Sequence, residues 1–165
     1  SHAAATQLRQ IQVLAAAVGA NGMVGGQCLD CCATGSDSSL QALEALHRLK
    51  TGALISASVL LGAHSAEGAT EQQLADFQLY ADCMGLAFQI QDDILDVTAD
   101  TASLGKPQGS DQHNDKTTYV SLLGLEQAQS KASELTGQAI SALARFGSEA
   151  DLLRELATFI TSRAR

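Results

Sequence analysis

The sequence predicts an all-α protein, and three observations carry that reading. Alanine, leucine and glutamine dominate a composition that is 45% hydrophobic but poor in aromatics, with no Trp and one Pro; this mix favours helices over a sheet. No stretch keeps the strict apolar–polar alternation of a half-buried strand. Helix-start signals stand ahead of two long runs, where Ser38 with Gln41 and Thr70 with Gln73 have capping-box spacing. At 165 residues the chain has the length of one ordinary domain with a real core, read as a single helical region over 1–165.

Taken in order, residues 3–18 read as a helix stopped by the turn signal Gly19-Ala20-Asn21-Gly22. A shorter helix covers 23–33 and is closed by Thr34-Gly35. From the Ser38 box a helix runs to about His64, and from the Thr70 box another runs to about Val97. Residues 99–117, "ADTASLGKPQGSDQHNDKT", form a polar nineteen-residue loop with Gly105, Pro107 and Gly109; loops of that length are functional lids or disordered segments. Helices follow over 118–123, 125–146 and 150–162.

The formal net charge is −8, which argues against a nucleic-acid partner, since such binders present a basic face. It would also repel an anionic ligand unless cations stand between. No apolar run is long enough to span a bilayer, and no signal-peptide pattern is present, so a cytoplasmic protein without membrane insertion is expected. The chain opens in mid-helix, as a fragment of a longer protein would. Cys28 and Cys31 have C-x-x-C spacing, but no second ligand pair exists and the histidines are scattered. The expectation for Cys28, Cys31, Cys32 and Cys83 is therefore buried, reduced thiols.

"FQIQDDILD" places Asp92, Asp93 and Asp96 within five residues of a helix rich in large apolar side chains. At about 100° per residue, Leu86, Ile90, Ile94 and Val97 share an apolar stripe, with Gln89 and the three aspartates on the neighbouring face. Like charges one turn apart cost a few tenths of a kcal/mol even in water, and more in a partly desolvated cleft unless a cation compensates. Oxygen-only donors at this spacing suit Mg2+, which keeps waters and shares its shell with substrate phosphates. Lys50 and Thr51 in "HRLKTGAL", with Lys106 and Lys116 in the long loop, add cations from a chain that holds only ten Lys and Arg. Carboxylate-bound metal together with lysines makes a diphosphate site, which reconciles an acidic protein with an anionic ligand.

Four ordered motifs resemble the short-chain trans-prenyltransferases, the polyprenyl and farnesyl diphosphate synthases. "GMVGGQCLD" (22–30) is similar to the family's G-G-Q-x-x-D segment, and "HRLKTGALI" (47–55) to its K-T-[GA] helix. "GLAFQIQDDILDVTAD" (85–100) is similar to its second aspartate-rich motif, and "LGKPQGSDQHNDKTTY" (104–119) to its lysine loop. "LLGLEQA" (122–128) leans toward the bacterial farnesyl branch. The resemblance implies the C-terminal helical half of the isoprenoid synthase (prenyltransferase) fold. It implies Asp92 as a direct Mg2+ ligand, with Asp93 and Asp96 holding metal-bound water or further metal. Lys50, Lys106 and Lys116 would grip the allylic diphosphate, while Thr51 and Gln89 line the place where the carbocation forms. Gln27 and Asp30 belong to a matched motif with either a structural or a functional role.

The implied reaction joins an allylic diphosphate to isopentenyl diphosphate by ionisation, condensation and elimination, in a protein that forms a homodimer. The family's first aspartate-rich motif, D-D-x-x-x-x-D, does not occur in these residues. The expectation is a chain inactive on its own, lacking the first metal motif, the isopentenyl diphosphate site and the residues that set product length. A non-catalytic prenyltransferase-like subunit and a class I terpene cyclase are the competing readings. The intact D-D-x-x-D and the three lysines count against the first, and the lysine loop with the G-G-Q and K-T segments against the second.

Overall fold

The computed structural model describes residues 3–33, 39–66, 68–99 and 116–162. Every regular element among them is helical. Lys106, Ser38, Thr34-Gly35 and loop residues 100–115 lie outside the described residues.

Helix α1 (Ala4–Val18) ends where the Gly19 amide closes on the Ala15 carbonyl, and α2 (Met23–Ala33) follows after a short turn. Helix α3 (Leu40–His47) starts at Ser39, whose hydroxyl accepts the Ala42 amide at 3.2 Å. The cap thus sits one residue beyond the expected Ser38–Gln41 box. The single helix expected from there to His64 is interrupted by a π turn, Arg48–Gly52, before α4 (Ala53–Ser65) continues.

Helix α5 (Glu71–Thr98) is the axis of the molecule. Its start is the predicted reciprocal box, with Thr70 Oγ1 accepting the Gln73 amide at 3.2 Å and Gln73 Oε1 accepting the Thr70 amide at 2.9 Å. Such a cap contributes on the order of 1 kcal/mol. Tyr80, Ala81, Met84, Leu86, Ala87, Ile90 and Ile94 are buried along its length, against α3, α4 and the helices that follow. Fully burying an isoleucine such as Ile90 stabilises by roughly 2 kcal/mol. The predicted apolar stripe is therefore the core-facing side, with Val97 half-buried at its end.

Helix α6 (Tyr119–Leu123) is followed after Gly124 by α7 (Leu125–Ala142), a 3-10 turn (Ser148–Ala150) and α8 (Asp151–Ser162). α7 stops short of the expected residue 146 because of a tertiary contact. Arg154 of α8 donates to the carbonyls of Leu143 (2.8 Å), Phe146 (2.7 Å) and Gly147 (3.0 Å). A guanidinium at that end satisfies carbonyls that have no helical partner and suits the negative helix terminus.

Two expectations are corrected or refined here. Cys28, Cys31 and Cys32 are exposed and only Cys83 is buried; all four are free thiols. The reason is local: Gly26 is the α2 position pressed against the π turn, and at helical spacing residues 28, 31 and 32 fall on the far side. No described helix is long and apolar enough to cross a membrane.

Candidate functional site

The expected site residues fall on three elements. Lys50 and Thr51 lie in the π turn, Gln89 and the three aspartates on the last turns of α5, and Lys116 just ahead of α6. A π turn inserts one extra residue, widening the helix and re-aiming its side chains, and such turns recur at functional sites.

Two glycines set the π turn between its neighbours. A Cβ on Gly26 of α2 would overlap the Lys50 backbone nitrogen and lie 2.5 Å from Lys50 Cα. A Cβ on Gly85 of α5 would lie 3.0 Å from Gly52 Cα. Only a residue without a side chain lets the backbones approach this closely. One turn beyond Gly26, the Asp30 carboxylate receives the Lys50 ammonium, Oδ2 to Nζ at 2.7 Å. Both side chains keep contact with solvent, 32% exposed for Lys50 and 26% for Asp30. The ammonium is thereby held at a defined place without being sealed off.

On α5, Gln89, Asp92 and Asp96 follow Gly85 on the same face. The seven residues from Gly85 to Asp92 make two turns, about 10 Å along the helix. The aspartates are not equivalent. Asp92 is exposed, whereas Asp93 (8% exposed) and Asp96 (1%) are buried. Asp93 Oδ2 accepts the Tyr119 amide at 2.7 Å. The shared cleft face expected for all three splits: Asp93 points about 100° away from Asp92, and Asp96, on the Asp92 face one turn further along, is buried. Among the described residues, no three His, Cys, Asp or Glu are gathered as a metal-holding group.

His47 and Tyr119 were not singled out from the sequence, and Asp30 was left open. The Tyr119 ring is fully buried against His47, with centroids 5.6 Å apart and planes tilted by 39°. His47 Nδ1 and the Tyr119 hydroxyl are buried, with no hydrogen-bond partner among the described residues. Burial, aided by the nearby Lys50 charge and opposed by Asp30, lowers the His47 pKa from 6.5 to about 4. Burial pushes the Tyr119 phenol upward, with Glu44 and Asp93 adding to the shift. The one-turn spacing of Gly26 and Asp30 was the available signal for Asp30; His47 and Tyr119 carry no comparable signature.

A cleft of about 700 Å3 opens between α5, α7 and α8, lined by Gln91, Thr98, Ser133, Thr136, Thr158 and Thr161. Gln91 and Thr98 lie on the side of α5 turned away from Asp93 and Asp96. Its neutral hydroxyl lining supplies no cation for an anionic ligand.

Comparison with known proteins identifies the family. The polyprenyl synthetase family model matches residues 2–157. The chain is 49% identical over 160 residues to farnesyl diphosphate synthase of Escherichia coli, covering 95% of this chain and 54% of that protein. An FPP/GFPP synthase structure from Zymomonas mobilis superposes with a TM-score of 0.82 at 40% identity, covering 94% of this chain and 51% of the other. A Helicobacter pylori geranyltransferase, solved with magnesium and isoprenyl diphosphate, gives 0.80 at 34% identity, covering 96% and 52%. The chain spans about half the length of the relatives it matches. The all-helical fold is that of the isoprenoid synthase prenyltransferases, and the chain belongs to the polyprenyl synthetase family.

Proposed function

We propose that this chain forms the part of a short-chain (E)-prenyl diphosphate synthase that anchors and ionises the allylic diphosphate. The observation that carries the reading is the seat of the lysine turn: Gly26 and Gly85 clasp it, Asp30 fixes the Lys50 ammonium, and Asp92 follows two turns along α5. Family membership and the similarity to farnesyl diphosphate synthases support the same substrate class.

The exposed Asp92 carboxylate fits a magnesium contact, since its oxygens are open to a hydrated ion that retains several waters. Bound there, Mg2+ would neutralise charge on the leaving diphosphate. Lys50 engages a diphosphate oxygen from its place beside Asp30, and the exposed Lys116 adds further positive charge; Lys106, outside the described residues, is assigned the same task. The allylic C–O bond breaks with its electron pair passing to diphosphate. The π electrons of isopentenyl diphosphate form the new C–C bond, and the adjacent proton leaves to the released diphosphate. The half-buried Thr51 hydroxyl and Gln89 amide supply dipoles for the intervening cation. The first aspartate-rich motif is not among these residues, so that motif and the isopentenyl diphosphate site are assigned to the remainder of a longer protein, acting as a cytoplasmic homodimer.

The test uses the protein that carries this chain, incubated with Mg2+, geranyl diphosphate and labelled isopentenyl diphosphate. The expected product is a labelled farnesyl-type diphosphate, lost in Asp92→Ala. An unlabelled cyclic hydrocarbon would make it a terpene cyclase, and diphosphate binding without turnover a non-catalytic subunit. The 165 residues alone are expected to give no condensation.

A further inference from the structure

Asp92 and Asp93 are adjacent in sequence but face different surroundings. Asp92 is exposed, while Asp93 is 8% exposed with one carboxylate oxygen 2.7 Å from the Tyr119 amide. Tyr119 is the first residue of α6, and its amide lacks a partner within that helix. The neighbouring box leaves it so: Thr118 Oγ1 accepts the Ser121 amide (3.1 Å), and Ser121 Oγ accepts the Thr118 amide (2.9 Å). A carboxylate at this position makes a charge-assisted bond and favours the positive end of the helix.

The same tyrosine continues the connection. Its buried ring rests on His47, three residues ahead of Lys50 and directly before the π turn. The backbone end of Tyr119 is therefore tied to the aspartate helix and its ring to the lysine turn. Mg2+ demands near-octahedral geometry and keeps several waters, which a carboxylate only 8% exposed, with Oδ2 committed to the Tyr119 amide, does not accommodate.

We propose that Asp93 is a positioning residue and not a metal ligand: it fixes the start of α6 and, through Tyr119 and His47, the seat of the Lys50 turn. The inference rests on the reading of Asp92 as the metal contact. It divides the aspartate-rich motif between two tasks, with Asp92 facing the ligand and Asp93 holding the frame.

The experiment compares Asp93→Asn, Asp93→Ala and Asp92→Asn in the protein that carries this chain. Asparagine keeps an acceptor oxygen for the Tyr119 amide but lacks the charge a metal ligand needs. Mn2+ binding in the presence of inorganic diphosphate is followed by electron paramagnetic resonance, and exchange of the Tyr119 amide by hydrogen–deuterium exchange. Asp93→Asn is expected to hold the Mn2+ dissociation constant within about threefold of the unchanged protein, and Asp92→Asn to weaken it by about tenfold or more. Asp93→Ala is expected to accelerate Tyr119 exchange, with Asp93→Asn restoring most of the protection. Loss of Mn2+ affinity in Asp93→Asn equal to that in Asp92→Asn would overturn the proposal, as would unchanged Tyr119 protection in Asp93→Ala. Should Asp93→Ala fail to fold, the Mn2+ titration of Asp93→Asn decides alone. Unchanged Mn2+ binding in Asp92→Asn would instead refute the metal reading, leaving the Tyr119 exchange to judge the positioning role.

Discussion

His47 shows how a single side chain couples folding to pH. Its pKa is 6.5 when exposed and about 4 in the folded chain, so the unfolded state binds the proton more tightly. Its neutral form contributes stability that is fully present above pH 6.5 and is lost as pH falls toward 4. The loss amounts to on the order of 3 kcal/mol once both states are protonated. Asp76 and Glu149 are held below their ordinary values of 3.8 and 4.5, so their contributions fall away at the acidic end of that window and below it. Urea unfolding at pH 7.5, 6 and 5 is expected to show declining stability, and His47→Gln to flatten most of that decline. Lys50 and the aspartates stand out in the sequence because charged side chains among apolar neighbours call for a reason. His47 and Tyr119 were not, since their meaning depends on a contact between residues 72 positions apart. No local periodicity reports such a pairing.

At the level of elements, the helix starts were the most legible feature. Thr70 with Gln73 opens α5 as its spacing indicates, because a capping box is a local interaction. The π turn was hidden, since "RLKTG" has ordinary helical propensity and acquires its shape from the backbones packed on either side. Likewise, the end of α7 depends on Arg154, eleven residues beyond Leu143. The packing account of the π turn can be tested with two alanines. Gly26→Ala drives a methyl into the Lys50 backbone, and such overpacking is expected to cost about 1–3 kcal/mol. Gly62→Ala in α4 meets no atom within 4 Å and is expected to stabilise by about 0.5–1 kcal/mol through helix propensity. Thermal unfolding should move in opposite directions for the two variants. A shared direction would mean that close approach to Lys50 does not account for Gly26.

At the scale of the whole molecule, α1 presents an apolar face that the described residues leave uncovered. Gln10 turns inward and donates to Ser65 of α4 at 2.9 Å, with Ala17 buried on the same side. Leu8 (58% exposed), Ile11 (64%) and Leu14 (46%) lie outward, continued by Val18. Contiguous apolar surface of this kind marks an interaction face, and covering each large side chain yields roughly 2 kcal/mol. A two-fold pairing would set the stripe against its own copy, matching like residues in one self-complementary patch. This supports the proposed homodimer and gives it a test. The protein that carries this chain is expected to sediment as a dimer at micromolar concentration. Joint substitution of Leu8→Gln and Ile11→Gln should shift it toward monomer. Because both side chains are largely exposed in the single chain, the unfolding temperature extrapolated to low protein concentration should stay nearly unchanged. Continued association of the double variant would reject α1 as the interface and direct attention to α8, where Leu152 (76% exposed) and Phe159 (62%) form the other outward apolar face.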